Sequence, residues 1–358
     1  MKIGIVTQPL YNNYGGLLQN FALQHVLKRL GHEPKTIDFV ERSSFTRYLL
    51  SICKQLLISV LKCRRPQIRS YIPIPTFRNP VMADFVNNHI YRTKIVHSYT
   101  KKIVNEENFD AIITGSDQVW RPIYNMNIED MYLKFVPNSI KKIAYAASFG
   151  VDTWEYNAKL TKRCAKQAKR LDAISVREAT GVELCRTNLG INAEHVLDPT
   201  ILAGAEAYKS LLKEKKEEQD YLFAYILDIT PEKQAYVESM AKNKGLNVII
   251  KSADKNATLS VEDWLSTIAN SSMVVTDSFH GTVFSILFHK EFYSIVNVER
   301  GGTRFASLLS PLRLVHQMGD VSQFTLTEPS PIDWQQVDKI LDKHRQDSMN
   351  FLTNALKK

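Results

Sequence analysis

Short apolar runs alternate with longer amphipathic stretches along the chain. Apolar runs at 2–7 (KIGIVT), 36–40, 109–115 (FDAIITG), 142–148 (KIAYAAS), 173–177 (AISVR) and 194–197 have the length and content of strands. Between them, spacing near 3.6 predicts a helix over 17–30, where Leu18, Phe21, Ala22, Val26 and Leu30 share a face and Gly31 supplies a stop. Further helices are predicted at 155–169 and 179–189. A second series follows the charge run KEKKEEQD at 213–220. Its strands are predicted at 221–227, 247–251, 273–277 and 292–296, and its helices at 232–244, 261–269, 281–289 and 334–356. Alternation of this kind predicts α/β architecture: two doubly wound, Rossmann-like domains, 1–200 and 201–358. A basic insertion lies near 42–105 and a long helix closes the chain. In such sheets ligands sit outside the carboxyl ends of strands.

The 358 residues are 44% hydrophobic and 23% charged, which excludes disordered and fibrous classes. No window approaches about 18 uninterrupted apolar residues, so no transmembrane helix is expected. The start, MKIGIVTQPL, reads as a first strand rather than a signal peptide. Cys53, Cys63, Cys164 and Cys185 have no C-x-x-C spacing and predict reduced thiols in a cytoplasmic protein.

Charge changes the picture more. The net charge is +9, but residues 1–105 carry 16 Lys/Arg against 4 Asp/Glu, a net of +12, and the rest carries −3. A basic half predicts an anionic partner: a phosphorylated substrate, a membrane surface or nucleic acid. No nucleic-acid motif is present, so nucleic acid is not expected. Residues 42–71 hold seven Lys/Arg and no acid around Leu49, Leu50, Cys53, Leu56, Leu57, Val60 and Leu61. A helix there either packs on its own domain or makes a peripheral contact with the anionic inner face of a membrane.

The candidate chemistry sits at strand ends and glycine turns. Asn13-Tyr14-Gly15-Gly16 lies between the first strand and first helix, where a glycine pair lets backbone N–H groups approach an anion or simply makes a tight turn. It is neither G-x-G-x-x-G nor a Walker A loop. Gly115-Ser116-Asp117-Gln118 follows a strand; Asp117 is a candidate base, or it and Ser116 cap the next helix. Ser175-Val176-Arg177-Glu178 ends a strand in an Arg fork suited to phosphate or carboxylate, or in an ordinary Arg177–Glu178 pair. Ser278-Phe279-His280-Gly281 places a histidine at a helix N-terminus, as a reactive group or as a cap. No metal-ligand cluster is evident, so no metal is expected.

Taken together with Tyr145-Ala146-Ala147-Ser148-Phe149-Gly150 and Val196-Leu197-Asp198-Pro199-Thr200, these motifs resemble, in order and spacing, the polysaccharide pyruvyl transferase family. The resemblance implies a fold like that of the two-domain GT-B glycosyltransferases, with the acceptor on the N-terminal side and the donor on the C-terminal side. It implies transfer of a pyruvyl group from phosphoenolpyruvate to a saccharide, free or lipid-linked, as a ketal in polysaccharide biosynthesis. No cofactor is implied. The family's donor-site Arg and His land on Arg177 and His280. Where some branches have Arg two residues before that His, this chain has Ser278, so another cation must serve: Arg304, Arg300 or Lys290. The candidate set is therefore His280 and Asp117 for catalysis, with Arg177, Asn13, Gly15, Gly16, Ser116, Ser278, Gly281 and Arg304 for substrate. The alternatives are a sugar-nucleotide glycosyltransferase on the same fold and a non-catalytic anion- or glycan-binding protein.

Overall fold

A computed structural model of the protein describes residues 1–11, 13–41, 79–125, 127–214, 220–252, 258–296, 302–321 and 331–357, with 52, 53 and 59. Nearly all of the basic stretch 42–71, together with Arg300, lies outside these described residues.

Strands β1 (Lys2–Val6), β2 (Glu33–Thr36), β3 (Ala111–Thr114), β4 (Lys141–Ala147), β5 (Ala173–Val176) and β6 (Glu194–His195) form one sheet in the order β2-β1-β3-β4-β5-β6. Strands β7 (Tyr221–Ile226), β8 (Asn247–Ser252), β9 (Met273–Thr276), β10 (Glu291–Ile295) and β11 (Met318–Gly319) form a second, β11-β10-β9-β7-β8. Every pairing is parallel. The central strands β3, β7 and β9 are buried at every position, as strands covered on both faces must be. Each sheet steps from its first strand to one side and then returns to the other. The reversals fall between β1 and β3 and between β7 and β9, and each leaves a crevice at the carboxyl ends of those strands.

Helices fill the connections: α1 (Tyr14–Arg29), α2 (Pro80–His89), α3 (Lys101–Glu106), α4 (Ile128–Met131), α5 (Ala158–Ala168), α6 (Ala179–Leu184), α7 (Pro199–Ala203), α8 (Pro231–Lys244), α9 (Val261–Asn270), α10 (Phe279–Leu287), α11 (Thr303–Leu309) and α12 (Trp334–Leu356). Apolar periodicity misses α2, the ten-residue helix opened by Pro80 behind its Asn79 cap, and also α3, α4, α7 and α11, none of which exceeds seven residues, too short to display a repeat. The strand expected at 36–40 is displaced: pairing with β1 covers Glu33–Thr36. Beyond Thr36, the Phe39 amide bonds the Ile37 carbonyl at 2.9 Å, and Asp38 turns inward to pair with Arg92 at 3.0 Å.

One apolar cluster runs through both halves, joining Ile3 and Tyr145 to Phe223, Trp264 and Phe284. Helix α12 begins against the second sheet, where Trp334 stacks on His289 at 4.8 Å. It ends against the first: the Leu197 amide donates to Ser348 Oγ at 3.0 Å, and Phe351 meets Tyr145 at 6.2 Å. Among the described residues no helix is long and apolar enough to cross a membrane.

Candidate active site

Both strand-order reversals deliver their loops to one place. After β1 the chain reaches Asn13, whose Oδ1 accepts the Gly16 amide at 3.2 Å and so caps α1. The cap side chain also reaches Asp117, with Asn13 Nδ2 3.4 Å from Asp117 Oδ2. Asp117 follows β3 with a φ of 72°, left-handed backbone that costs an L-residue about 1–3 kcal/mol. Its Oδ1 accepts the next amide, Gln118, at 2.8 Å, so Asp117 caps no helix. The loop is held by Gln8, which donates to the Gln118 carbonyl at 3.0 Å, and by Asn125, which donates to the Val119 carbonyl at 2.9 Å.

From the second sheet, β9 runs into α10. Ser278 Oγ accepts the Gly281 amide at 3.3 Å and is the cap, which leaves His280 free of that duty. Gly281 lies against Thr276 with no space for a Cβ, so the helix seats directly on the strand end. His280 is buried, and its ring lies against Gly15 so closely that a Cβ there would overlap the imidazole. A Cβ on Gly16 would sit 3.4 Å from Asp117 Oδ2. Two consecutive glycines thus receive His280 from one sheet and Asp117 from the other. Tyr14 seals the turn: its hydroxyl donates to the Leu259 carbonyl at 2.7 Å and its ring stacks on Trp264 at 5.2 Å.

Beneath this turn lies a buried charge cluster centred on Asp198. Asp198 Oδ2 accepts Ser116 Oγ at 2.7 Å and Arg177 Nη1 at 2.8 Å, and it stands 3.7 Å from His280 Nε2. That last separation is an ion-pair distance beyond hydrogen-bond range. Asp198 Oδ1 accepts the Thr200 amide at 2.9 Å and the Thr200 hydroxyl at 2.6 Å. Arg177 also reaches Ser148 Oγ with Nη2 at 3.2 Å and lies 3.7 Å from Glu178 through Nε. Its guanidinium covers the Phe279 ring at 4.6 Å, and Arg304 lies 5.9 Å from the same ring.

The electrostatics follow from this crowding. Burial would raise the Asp198 carboxyl, but His280, Arg177 and Thr200 outweigh it and hold that group well below the usual carboxylate range. Burial would lower Arg177, but Asp198, Glu178 and Asp117 raise it on balance. Arg304 is pushed down to about 10, first by burial and then by Arg177. Arg177 and Arg304 meet at the Phe279 ring, with Asp198, Glu178 and Asp117 as the acids around them. Two buried donors, His280 Nε2 and Arg177 Nε, have no hydrogen-bond partner. Among the described residues no group of three or more His, Cys, Asp or Glu side chains is arranged to hold a metal ion.

Of the residues singled out from sequence, Asn13, Gly15, Gly16, Ser116, Asp117, Arg177, Ser278, His280 and Gly281 come together at this junction. Arg304 joins them from α11. The Arg177–Glu178 pair forms, but in the interior, with both side chains 2% exposed. Two of Arg177's three nitrogens are spent on Asp198, Ser116 and Ser148, a partner set different from the open anion clamp that its strand-end position suggests. Lys290 lies past the far end of α10, with about 10 Å of helix between His280 and that end. Asp198, Glu178, Ser148 and Phe279 lie within the quoted motifs but outside the candidate set; the signal for Asp198 is a further carboxylate just past a strand end.

A family model described as polysaccharide pyruvyl transferase matches residues 13–298, spanning every loop of this junction. The chain belongs to the polysaccharide pyruvyl transferase family. No curated protein matches the sequence significantly. Among solved structures, UDP-GlcNAc 2-epimerase from Neisseria meningitidis bound to UDP-GlcNAc is 8% identical with a TM-score of 0.48, over 99% of each chain. UDP-GlcNAc 2-epimerase from Methanocaldococcus jannaschii is 10% identical at 0.47, over 96% of this chain and 92% of that one. An α-glucosyltransferase in complex with UDP is 11% identical at 0.45, over 98% and 95%. At these values the likeness concerns chain path and bears on neither substrate nor activity. Two doubly wound sheets meeting at their carboxyl ends, closed by a C-terminal helix, are the architecture that the family resemblance implies for this chain.

Proposed function

We propose that the protein transfers a pyruvyl group from phosphoenolpyruvate to two hydroxyls of a saccharide, forming a ketal and releasing phosphate. The observation that carries this reading is the pair of buried nitrogens that make no hydrogen bond, His280 Nε2 and Arg177 Nε, each 3.7 Å from a carboxylate, in a cluster that also holds Arg304. A buried donor without a partner marks where a ligand's acceptor atom belongs. A donor carrying both carboxylate and phosphate brings about three negative charges at neutral pH, and two guanidiniums beside a helix N-terminus suit it.

The chemistry needs one proton delivered to C3 of the enol phosphate and two C2–O bonds formed to the acceptor. The bond between C2 and the phosphate oxygen breaks, and the two hydroxyl protons end on C3 and on phosphate. His280 supplies the proton, because it is the titratable group at the N-terminus of α10 with a free ring nitrogen. Asp117 takes the acceptor's proton from the opposite side of the glycine turn. Asp198, through Arg177 and Ser116, fixes the floor beneath them. Ser278 serves α10 as its cap, and the cation missing at that position is supplied by Arg304.

The test incubates the protein with phosphoenolpyruvate and a panel of glycans, free and lipid-linked, and follows phosphate release and the ketal methyl signal by NMR. Release coupled to ketal formation with one glycan class is the expected result. Thermal stabilisation by nucleotide sugars and none by phosphoenolpyruvate would replace this reading with glycosyl transfer.

A further inference from the structure

The loop that carries Asp117 continues into a short turn, Pro122–Tyr124, that exposes apolar surface. Ile123 is 63% exposed and Tyr124 48%, among the largest apolar exposures of the described residues. Burial of such groups is the default, so adjacent exposed large side chains ask for a ligand. The turn is rigid rather than loose. Asn125 donates to the carbonyls of Val119 at 2.9 Å and Arg121 at 3.3 Å, and the Tyr124 amide bonds the Arg121 carbonyl at 3.2 Å. Arg121 lies over the Tyr124 ring at 5.5 Å. That guanidinium is itself pinned by Glu155 at 3.0 Å and by Gln118 Oε1 at 3.1 Å. The ring is thus backed by a neutralised cation and open to solvent over nearly half its surface.

Its place is set by Asn125, whose Nδ2 also reaches the Gln118 carbonyl at 3.4 Å and so folds the turn back onto the residue that follows Asp117. Tyr124 therefore stands near the candidate base without being part of the charge cluster. We infer that Tyr124, with Ile123 beside it, is the platform on which a neutral sugar ring of the acceptor stacks, an inference that rests on the proposed saccharide-modifying reaction. One face of a hexose ring is a patch of C–H bonds, which an exposed aromatic ring with only two free torsions covers at small entropic cost. Arg121, the cation on the ring itself, is already matched by Glu155 and leaves the stacking face to a neutral sugar.

The probe is a set of neutral methyl hexosides, read by saturation-transfer NMR on the wild type, Tyr124→Ala and Tyr124→Phe, with the thermal shift caused by phosphoenolpyruvate measured on the same samples. Transfer to ring C–H protons is expected in the wild type and in Tyr124→Phe. In Tyr124→Ala the apparent affinity is expected to fall about tenfold while the phosphoenolpyruvate shift is unchanged. Absence of transfer in the wild type, equal transfer in Tyr124→Ala, or loss of the phosphoenolpyruvate shift in that variant would each overturn the platform. Sugar contact that depends on Tyr124, in a protein that releases no phosphate with any glycan, supports the platform and defeats the pyruvyl reading.

Discussion

Replacing Asp198 by Asn changes one atom and tests the centre of the site. Both carboxylate oxygens of Asp198 face donors only: Thr200 N and Oγ1 on Oδ1, Ser116 Oγ and Arg177 Nη1 on Oδ2. Whichever way an amide turns, its NH2 meets either the Thr200 amide or the Arg177 fork, neither of which can accept. The substitution also leaves Arg177 buried with less counter-charge. Breaking a buried pair by removing one partner costs about 3–5 kcal/mol. At about 2 °C per kcal/mol in a chain of this size, Tm should fall by roughly 6–10 °C. The linkage has a definite sign. The carboxyl is held below its unfolded value, so its contribution is complete above about pH 4 and is lost as pH falls below that value. Thermal unfolding followed by circular dichroism should therefore find the gap between wild type and Asp198→Asn at full size at pH 7 and shrinking below pH 4. Glu183→Gln, at the exposed Arg186 pair, should leave Tm unchanged. An Asp198→Asn protein within about 1 kcal/mol of wild type at pH 7 would refute the reasoning, since no buried ion pair could then be broken.

Three other outcomes are expected. Gly15→Ala pushes a methyl group into the His280 ring, so turnover should drop sharply for a stability loss of about 1–3 kcal/mol; unchanged kcat and Tm would mean the two do not touch. His280→Ala should lower kcat by about 10²–10⁴, and His280→Gln should stay poor because an amide cannot transfer a proton; near wild-type kcat in the Gln variant would remove proton transfer from His280. Burial pushes the Cys164 and Cys185 thiols up to about 12, so the native protein should resist iodoacetamide at both and react only on denaturation, whereas the exposed Cys53 reacts at once; rapid native alkylation at Cys164 would contradict this packing.

Much of the frame was legible in the chain itself because it depends on near neighbours. Strand runs such as FDAIITG and helix periodicity at 17–30 reflect burial repeated every two or 3.6 residues, which a sequence displays directly. The position of each motif just past a strand end was legible for the same reason, and in a parallel sheet that places it at the ligand edge. Short helices such as α4 and α7 were not, since a turn or two cannot display a period and their burial depends on distant partners.

The chemistry of the site was decided by contacts that no local pattern encodes. Asn13 as the cap of α1 is a matter of three residues; His280 against Gly15 joins positions from opposite ends of the chain. The sequence determined that Arg177 ends a strand, and left open whether its fork faces solvent, a ligand or the protein. Tertiary structure turned it on Asp198 and Ser148, because an Arg enclosed by packed sheets must find anionic and hydroxyl partners there or not be buried at all. Likewise the sequence alone determined two glycines in a turn, and only the meeting of two sheets decided why the first must be glycine: it admits the His280 ring, where any side chain would overlap the imidazole, while the second lies beside Asp117.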